Sequence, residues 1–86
     1  MKIVLHKNFL RRYKKLTASE HDRFKKRRDL FLENPFHPLL YNHPLHGEYA
    51  GCRSFRIGGD LSVIYKETED SIAQFVLIGT HAELYE

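Results

Sequence analysis

Cysteine is nearly absent from this chain of 86 residues, which contains only Cys52. A lone thiol cannot form an intramolecular disulfide, so packing must hold the fold, and we expect a reducing, cytoplasmic environment in which Cys52 is buried and inert. Long apolar runs are also missing, since none approaches the roughly 20 residues of a membrane-spanning helix. The apolar stretch near residue 5 is too short for a signal peptide. We therefore expect no membrane association.

Acidic residues are scarce in the first part of the chain. Residues 1–33 hold 11 lysines and arginines against 4 acidic residues, whereas residues 34–86 hold 3 against 7, and the whole chain carries +3. A basic half on a small domain indicates either a polyanionic partner, which would be nucleic acid or an acidic protein, or a solvated helix surface. Charge alone does not decide between them.

Two amphipathic helices are predicted within this basic half. The first begins near an N-cap at Asn8 and carries Phe9 and Tyr13 on its apolar side. Residues 17–20, Thr-Ala-Ser-Glu, match a capping box that starts the second helix, and this helix should end before residues 34–35, Asn-Pro. The basic side chains that face away from the apolar side are Arg11, Arg12, Lys14, Lys15, Lys25 and Lys26.

Residues 51–66 predict a β-hairpin around the turn Gly-Gly-Asp at residues 58–60. A three-residue loop pairs Ile57 with Leu61 and Phe55 with Val63, which gathers the apolar side chains on one face. The other face then carries the polar and cationic side chains of Ser54, Arg56, Ser62 and Lys66. Such a cationic, open sheet face is suited to a phosphate.

The remaining segments complete an α+β fold in a single domain over residues 1–86. Residues 2–6 form a short strand, and the apolar run at residues 72–78 is typical of a central strand. A second T-x-x-E pattern at residues 80–83 predicts one helical turn with His81 at its first position. We predict two N-terminal helices packed on an antiparallel sheet of about four strands. The long connection at residues 34–50 is expected to be packed down and functional.

The order of four segments resembles the RelE/ParE superfamily of bacterial toxins, and specifically its YafQ-like branch. These segments are the basic helical hairpin, HPLHGEYAGCR at residues 43–53, FRIGGDLSVIY at residues 55–65 and IGTHAELY at residues 78–85. The resemblance implies the toxin of a type II toxin–antitoxin system, a ribosome-dependent endoribonuclease that cuts messenger RNA. It also implies a cognate antitoxin protein as partner, and makes the toxin–antitoxin complex a candidate ligand of its own operator DNA.

The resemblance further implies a set of site residues. His43 matches a functional histidine in the loop, Asp60 an acid in the hairpin turn, and His81 the C-terminal catalytic histidine. Tyr85 falls where the family has an active-site aromatic. Arg56 occupies a position at which the YafQ branch carries a histidine.

Two further positions depart from the family pattern. The YafQ branch has an aromatic at the position of Leu61, and the RelE branch has a catalytic arginine at the position of Ser62. Arg56 is therefore the cation expected on the open sheet face. The identity of the general base is left open.

RNA cleavage without a metal needs a base for the 2′-OH proton, an acid for the leaving 5′-oxygen and a cation for the phosphoryl oxygens. His43, His46 and His81 are the candidates for proton transfer, because histidine titrates near neutral pH. Arg53 and Arg56 are the candidates for phosphate binding. The outward-facing lysines and arginines of the two helices are candidate contacts to the backbone of ribosomal RNA.

Simpler roles are also compatible with these residues. His43 and His46 have the character of solvated loop histidines, and Asp60 that of a turn residue. Arg53 shares the alternation of Phe55, so a structural ion pair towards the helices is as consistent with the sequence as phosphate binding. No cysteine accompanies His43 and His46 at zinc-ligand spacing, and we expect neither a metal nor another cofactor.

Two other functions fit the same fold. One is a ParE-like toxin that inhibits gyrase by binding and cuts nothing, and the other is a catalytically inactive binding module. A pure inhibitor has no use for three histidines around one sheet, which favours the nuclease. The departures at Arg56 and Leu61 keep the inactive module as an alternative.

Overall fold

The computed structural model describes residues 1–85, apart from the side chain of Asp70. Five strands form one sheet, and they are β1 (Lys2–Leu5), β2 (His43–Pro44), β3 (Arg53–Gly58), β4 (Leu61–Thr68) and β5 (Ile72–Thr80). Three α-helices accompany them, and they are α1 (Lys7–Tyr13), α2 (Ala18–Glu33) and α3 (His81–Tyr85). Within the described residues, no helix has both the length and the apolar character needed to cross a membrane.

The strand order is β1-β5-β4-β3-β2, with β1 parallel to β5 and the other neighbours antiparallel. The predicted α+β class is confirmed, but the sheet is mixed and has five strands instead of being antiparallel with about four. The additional strand is β2, where His43 and Pro44 of the long connection pair with Ser54 and Arg53 at the sheet edge. Part of the predicted loop is therefore an edge strand.

The helix starts follow from local hydrogen bonds. The predicted capping box of α2 is confirmed, because the Glu20 amide donates to Thr17 Oγ1 at 3.1 Å and the Thr17 amide donates to Glu20 Oε1 at 2.9 Å. This hydrogen bond from the Thr17 backbone lowers the pKa of Glu20. The predicted N-cap at Asn8 is wrong: His6 caps α1, and its Nδ1 accepts from the Asn8 amide at 3.0 Å.

The β3–β4 hairpin contains a bulge that the sequence did not reveal. Phe55 pairs with Val63 as predicted, but Gly58, and not Ile57, stands opposite Leu61. The chain turns at Gly58 with φ 136° and Gly59 with φ 59°, in the region that favours glycine. Ile57 remains buried within the bulge, so the apolar face is preserved. Arg56 lies opposite Ser62 on the other face.

Aromatic side chains fill the space between helices α1 and α2 and the sheet. Phe75 of the interior strand β5 lies within 5.8 Å, centroid to centroid, of the rings of Phe9, Phe31 and Phe55. The opposite face is not fully open, because Ser54 is buried there, contrary to the expectation of a solvated position. Ile64, which stands opposite Ser54, is also buried, so β4 is covered on both faces from Val63 to Tyr65.

Candidate active-site cleft

A cleft of about 370 Å³ opens on the face of the β3–β4 hairpin away from the aromatic core. Its walls come from the edge strand β2, the hairpin and helix α3. The residues that line it are His43, Leu45, Ser54, Arg56, Gly59, Asp60, Ser62, His81 and Tyr85. All five residues predicted to be catalytic, which are His43, Arg56, Asp60, His81 and Tyr85, are therefore together in one cleft.

Helix α3 places His81 at the cleft directly after the buried strand β5. The predicted T-x-x-E pattern forms the two hydrogen bonds of a capping box. The Glu83 amide donates to Thr80 Oγ1 at 3.2 Å, and the Thr80 amide donates to Glu83 Oε1 at 2.8 Å. The ring of His81 lies 5.0 Å from that of Tyr85, centroid to centroid. The cap thus fixes the backbone that carries His81, and the ring of Tyr85 packs against the His81 side chain.

Two contacts from distant elements hold α3 in place. The hydroxyl of Tyr49 donates to the Leu84 carbonyl at 2.7 Å, and its ring meets that of Tyr85 edge-on at 5.7 Å. Burial raises the pKa of Tyr49, so this hydroxyl keeps its proton at neutral pH. From the other side, Arg12 of α1 donates through Nη1 to the Glu83 carbonyl at 3.3 Å.

The edge strand β2 presents His43 with a defined tautomer. His43 Nδ1 lies 2.8 Å from the carbonyl oxygen of Tyr41. Because a carbonyl oxygen can only accept, Nδ1 must carry a proton, and in the neutral ring the lone pair is then on Nε2. His43 is exposed, so this nitrogen is available for proton transfer at the cleft.

The hairpin contributes the charged groups. Arg56 is exposed, and its guanidinium carbon lies 4.6 Å from the ring centroid of Tyr41. Asp60 is exposed at the tip, next to Gly59. Among the side chains of the described residues, no carboxylate forms an ion pair with Arg56. Its fork of N–H donors is therefore available to an anion.

Arg53 and His46 do not line the cleft. Arg53 Nε donates to Asn42 Oδ1 at 2.7 Å, and the guanidinium lies 5.2 Å from the ring of Phe36. Asn42 in turn donates to the Tyr65 hydroxyl at 2.7 Å, on the core side. Arg53 thus takes the structural position that its alternation with Phe55 indicated, with an amide instead of an acid as its partner. His46 is exposed before the short turn Gly47–Tyr49.

The six lysines and arginines of the helices that were predicted to face outward do not line this cleft. Five of them are exposed, and the sixth, Arg12, is half-buried and contacts α3. Arg12 and Lys15 border a second cleft of about 360 Å³ between α1 and the end of β5. The exposed members are Arg11, Lys14, Lys15, Lys25 and Lys26.

Some cleft residues were absent from the predicted site. Strand alternation placed Ser54 and Ser62 on the correct face, and this was a usable signal. No sequence signal pointed to Leu45, because the edge strand beside it was not predicted. Tyr41, which contacts both His43 and Arg56, also gave no signal, because its role depends on a left-handed backbone conformation.

The cleft brings together the groups that acid–base cleavage of a phosphodiester needs. His43 and His81 can accept and donate protons, and Arg56 can neutralise charge on phosphoryl oxygens. Among the described residues, no three histidine, cysteine or acidic side chains are grouped so as to hold a metal ion.

Comparison with known proteins shows several structures of similar fold. YafQ from E. coli strain BL21(DE3) has 28% sequence identity and a TM-score of 0.80, with 99% of this chain and 98% of that chain covered. The E. coli DinJ–YafQ toxin–antitoxin complex has 28% identity and a TM-score of 0.77, with coverage of 99% and 97%. A metal-bound toxin from Helicobacter pylori has 25% identity and a TM-score of 0.69, with 99% of both chains covered.

No curated protein is significantly similar in sequence to this chain. The family model described as "Bacterial toxin of type II toxin-antitoxin system, YafQ" matches residues 1–86, the whole chain. The predicted membership of the RelE/ParE superfamily, in its YafQ-like branch, is thereby confirmed. This chain belongs to the YafQ family of bacterial toxins of type II toxin–antitoxin systems.

Proposed function

We propose that this toxin is a ribosome-dependent endoribonuclease that cleaves messenger RNA by metal-free acid–base chemistry. The observation that carries the proposal is the convergence of His43, Arg56, Asp60 and His81 on one cleft. These residues come from separate parts of the chain, and none of them is needed there for packing, since each is exposed.

Each residue has a role that follows from its position. His43 Nε2, which holds the lone pair, takes the proton of the 2′-OH, and the 2′-oxygen then attacks phosphorus. His81 as imidazolium protonates the 5′-oxygen as its bond to phosphorus breaks. Arg56 binds the phosphoryl oxygens while their charge grows. The carboxylate of Asp60 favours an imidazolium formed in the same cleft.

The aromatic ring of Tyr85 and the basic helices serve RNA binding. Tyr85 lies beside His81 and offers a face on which a base can stack. The exposed lysines and arginines of α1 and α2 are available to the ribosomal RNA backbone, and none of them lines the cleft. In this arrangement the helices bind ribosomal RNA, and the cleft binds the messenger RNA. His46, exposed outside the cleft, remains a candidate contact to RNA, whereas the hydrogen bond of Arg53 to Asn42 favours a structural role.

A cognate antitoxin is the second proposed partner. The similar E. coli protein YafQ has been crystallised in a complex with DinJ, and this chain carries a basic surface that suits an acidic, partly disordered segment. Co-expression with the neighbouring small gene should restore growth and yield a co-purifying complex. Failure of both would contradict this partner. The complex is also the proposed ligand of the operator DNA.

The experiment that tests the proposed activity is induction of the protein in cells, followed by mapping of the 5′ ends of messenger RNA. Cuts at fixed codon positions that are absent with His81→Gln support the nuclease. A DNA-damage response without cuts would support the ParE-like alternative, which inhibits gyrase. Growth arrest with neither result would indicate an inactive binding module.

A further inference from the structure

Tyr41 has an unusual position between the packed loop and the edge strand β2. It is 64% exposed, yet its backbone lies in the left-handed region, with φ 48° and ψ 43°. A bulky residue adopts this conformation only rarely, because its Cβ approaches the following carbonyl oxygen. Surrounding structure must therefore impose the conformation on it.

The residues on either side of Tyr41 supply this constraint. Leu40 is fully buried in the core. Asn42 donates to the Pro35 carbonyl at 2.9 Å and to the Tyr65 hydroxyl at 2.7 Å, and it accepts from Arg53 at 2.7 Å. The backbone at Tyr41 is thus anchored both before and after it.

Two groups of Tyr41, its carbonyl and its ring, contact residues of the cleft. The carbonyl oxygen accepts from His43 Nδ1 at 2.8 Å, and the ring centroid lies 4.6 Å from the guanidinium carbon of Arg56. The left-handed turn therefore lets one residue contact one histidine and one arginine that line the same cleft.

We propose that Tyr41 is a positioning residue, which sets the tautomer of His43 through its carbonyl and orients Arg56 through its ring. Its effect on rate rests on the proposed nuclease function, whereas its two contacts do not. A cation held over an aromatic face loses freedom before the phosphate arrives. A histidine whose Nδ1 is occupied offers only Nε2 to the substrate.

The chain contains a matched control for the ring of Tyr41. Phe36 lies in the same loop, is also 64% exposed and also lies against an arginine, with its ring centroid 5.2 Å from the guanidinium carbon of Arg53. That arginine is outside the cleft. Removal of either ring removes a similar exposed contact, but only removal of the Tyr41 ring releases a cleft residue.

The experiment compares Tyr41→Phe, Tyr41→Leu and Phe36→Leu by NMR and by cleavage of messenger RNA on programmed ribosomes. The ring current of Tyr41 should move the Arg56 δ-proton resonances upfield, and this shift should persist in Tyr41→Phe and vanish in Tyr41→Leu. Tyr41→Leu should lower the cleavage rate roughly two- to fivefold, the range expected for one exposed cation–π contact. Tyr41→Phe and Phe36→Leu should cleave at the parental rate.

A second pair of measurements separates positioning from general stability. In an Arg56→Ala background, Tyr41→Leu should cause no further loss of rate, because its effect passes through Arg56. In Asn42→Ala the backbone after Tyr41 loses the hydrogen bonds that anchor it, and the ¹⁵N shifts of His43 should change from protonated Nδ1 to the mixture of tautomers of a solvated histidine. Tyr41→Leu, which keeps Asn42, should leave those shifts unchanged.

Two results would overturn the inference. One is an Arg56 resonance that is identical in the parent and in Tyr41→Leu, and the other is an equal, additive loss of rate in the Arg56→Ala background. Both NMR measurements are made on the protein without RNA. If the shifts behave as expected while the parent cuts no RNA, the proposed function fails and the positioning by Tyr41 stands.

Discussion

His81 stands at the start of helix α3, directly after strand β5. The Thr80–Glu83 cap fixes the backbone of this turn, and the ring of Tyr85 packs against the His81 ring. His81→Gln keeps a hydrogen-bonding group but cannot deliver a proton near neutral pH. We expect this variant to abolish growth arrest and messenger RNA cleavage. Ribosome binding, antitoxin binding and the thermal melting temperature should remain parental. Cleavage at the parental rate would contradict the role of His81 as the acid and transfer it to another cleft histidine.

Arg56 and Arg53 form a natural comparison, since both are arginines of β3 but only Arg56 lines the cleft. Arg56→Ala should lower the single-turnover cleavage rate by about two powers of ten, which corresponds to about 3 kcal/mol for the removal of one charge-stabilising donor. Arg56→Lys should recover only part of the rate, because a point charge replaces a planar fork.

The control for this prediction is Arg53→Ala. It removes the hydrogen bond to Asn42, so denaturant midpoints should fall while the cleavage rate changes far less than in Arg56→Ala. The reverse pattern, with a large rate loss only in Arg53→Ala, would assign the phosphate to Arg53.

Residues with local signals were predictable from the sequence, and those that depend on distant contacts were not. Strand alternation placed Arg56 on the open face and Arg53 on the core side. No local pattern could reveal that Ser54, on the same face as Arg56, is buried, because its neighbours in the sheet, His43 and Ile64, come from other strands. Tyr41 escaped prediction for a related reason, as its conformation is imposed by the contacts of Asn42.

At the scale of the elements, helices α1 and α2 form the surface proposed to hold ribosomal RNA. The four exposed residues Arg11, Lys14, Lys25 and Lys26 are changed together to Gln. For each phosphate that the variant no longer binds, the slope of log affinity against log salt should become shallower by roughly 0.7–0.9. Ribosome binding measured at several salt concentrations should therefore depend less on salt than in the parent.

Lys66 supplies the control, because it is an exposed lysine on β4, outside these helices. Lys66→Gln changes the net charge by one without touching the helical surface, and its slope should stay close to parental. An unchanged slope in the fourfold variant would remove the helices from the ribosome interface.

The ends of an element were predicted well where neighbouring residues in the sequence determine them. Both T-x-x-E patterns form the hydrogen bonds of capping boxes, and α2 ends at Glu33 as expected from the residues that follow. The parallel pairing of β1 with β5 was not predictable in this way, because it joins the two ends of the chain and no short pattern encodes direction.

At the scale of the whole molecule, stability should fall in alkaline solution. Burial raises the pKa of Tyr65 above its usual value near 10. Because the folded state favours the neutral phenol, its contribution to stability is complete below pH 10 and is lost as pH rises through the folded pKa. Urea unfolding between pH 8 and 11 should show this decline in the free energy of unfolding.

Tyr65→Phe removes the titrating group and keeps the ring in the core. The free energy of unfolding of this variant should decline less steeply above pH 10 than that of the parent. The decline that remains comes from other groups such as Tyr49, because burial also raises the pKa of Tyr49. Identical alkaline slopes in both proteins would exclude Tyr65 as the cause. The variant also lacks the hydroxyl that accepts from Asn42, so its stability at pH 8 should be lower.

The bulge between Arg56 and Gly58 gives β3 one residue more than β4 between the Arg56–Ser62 pair and the Gly58–Leu61 pair, and this extra residue is Ile57. Ile57 is buried in the core. Its deletion would leave Arg56 opposite Ser62 on the cleft face and would take one apolar side chain from the opposite face. Relatives that lack a residue at this bulge should therefore be less stable, while their residue at the position of Arg56 still faces the cleft.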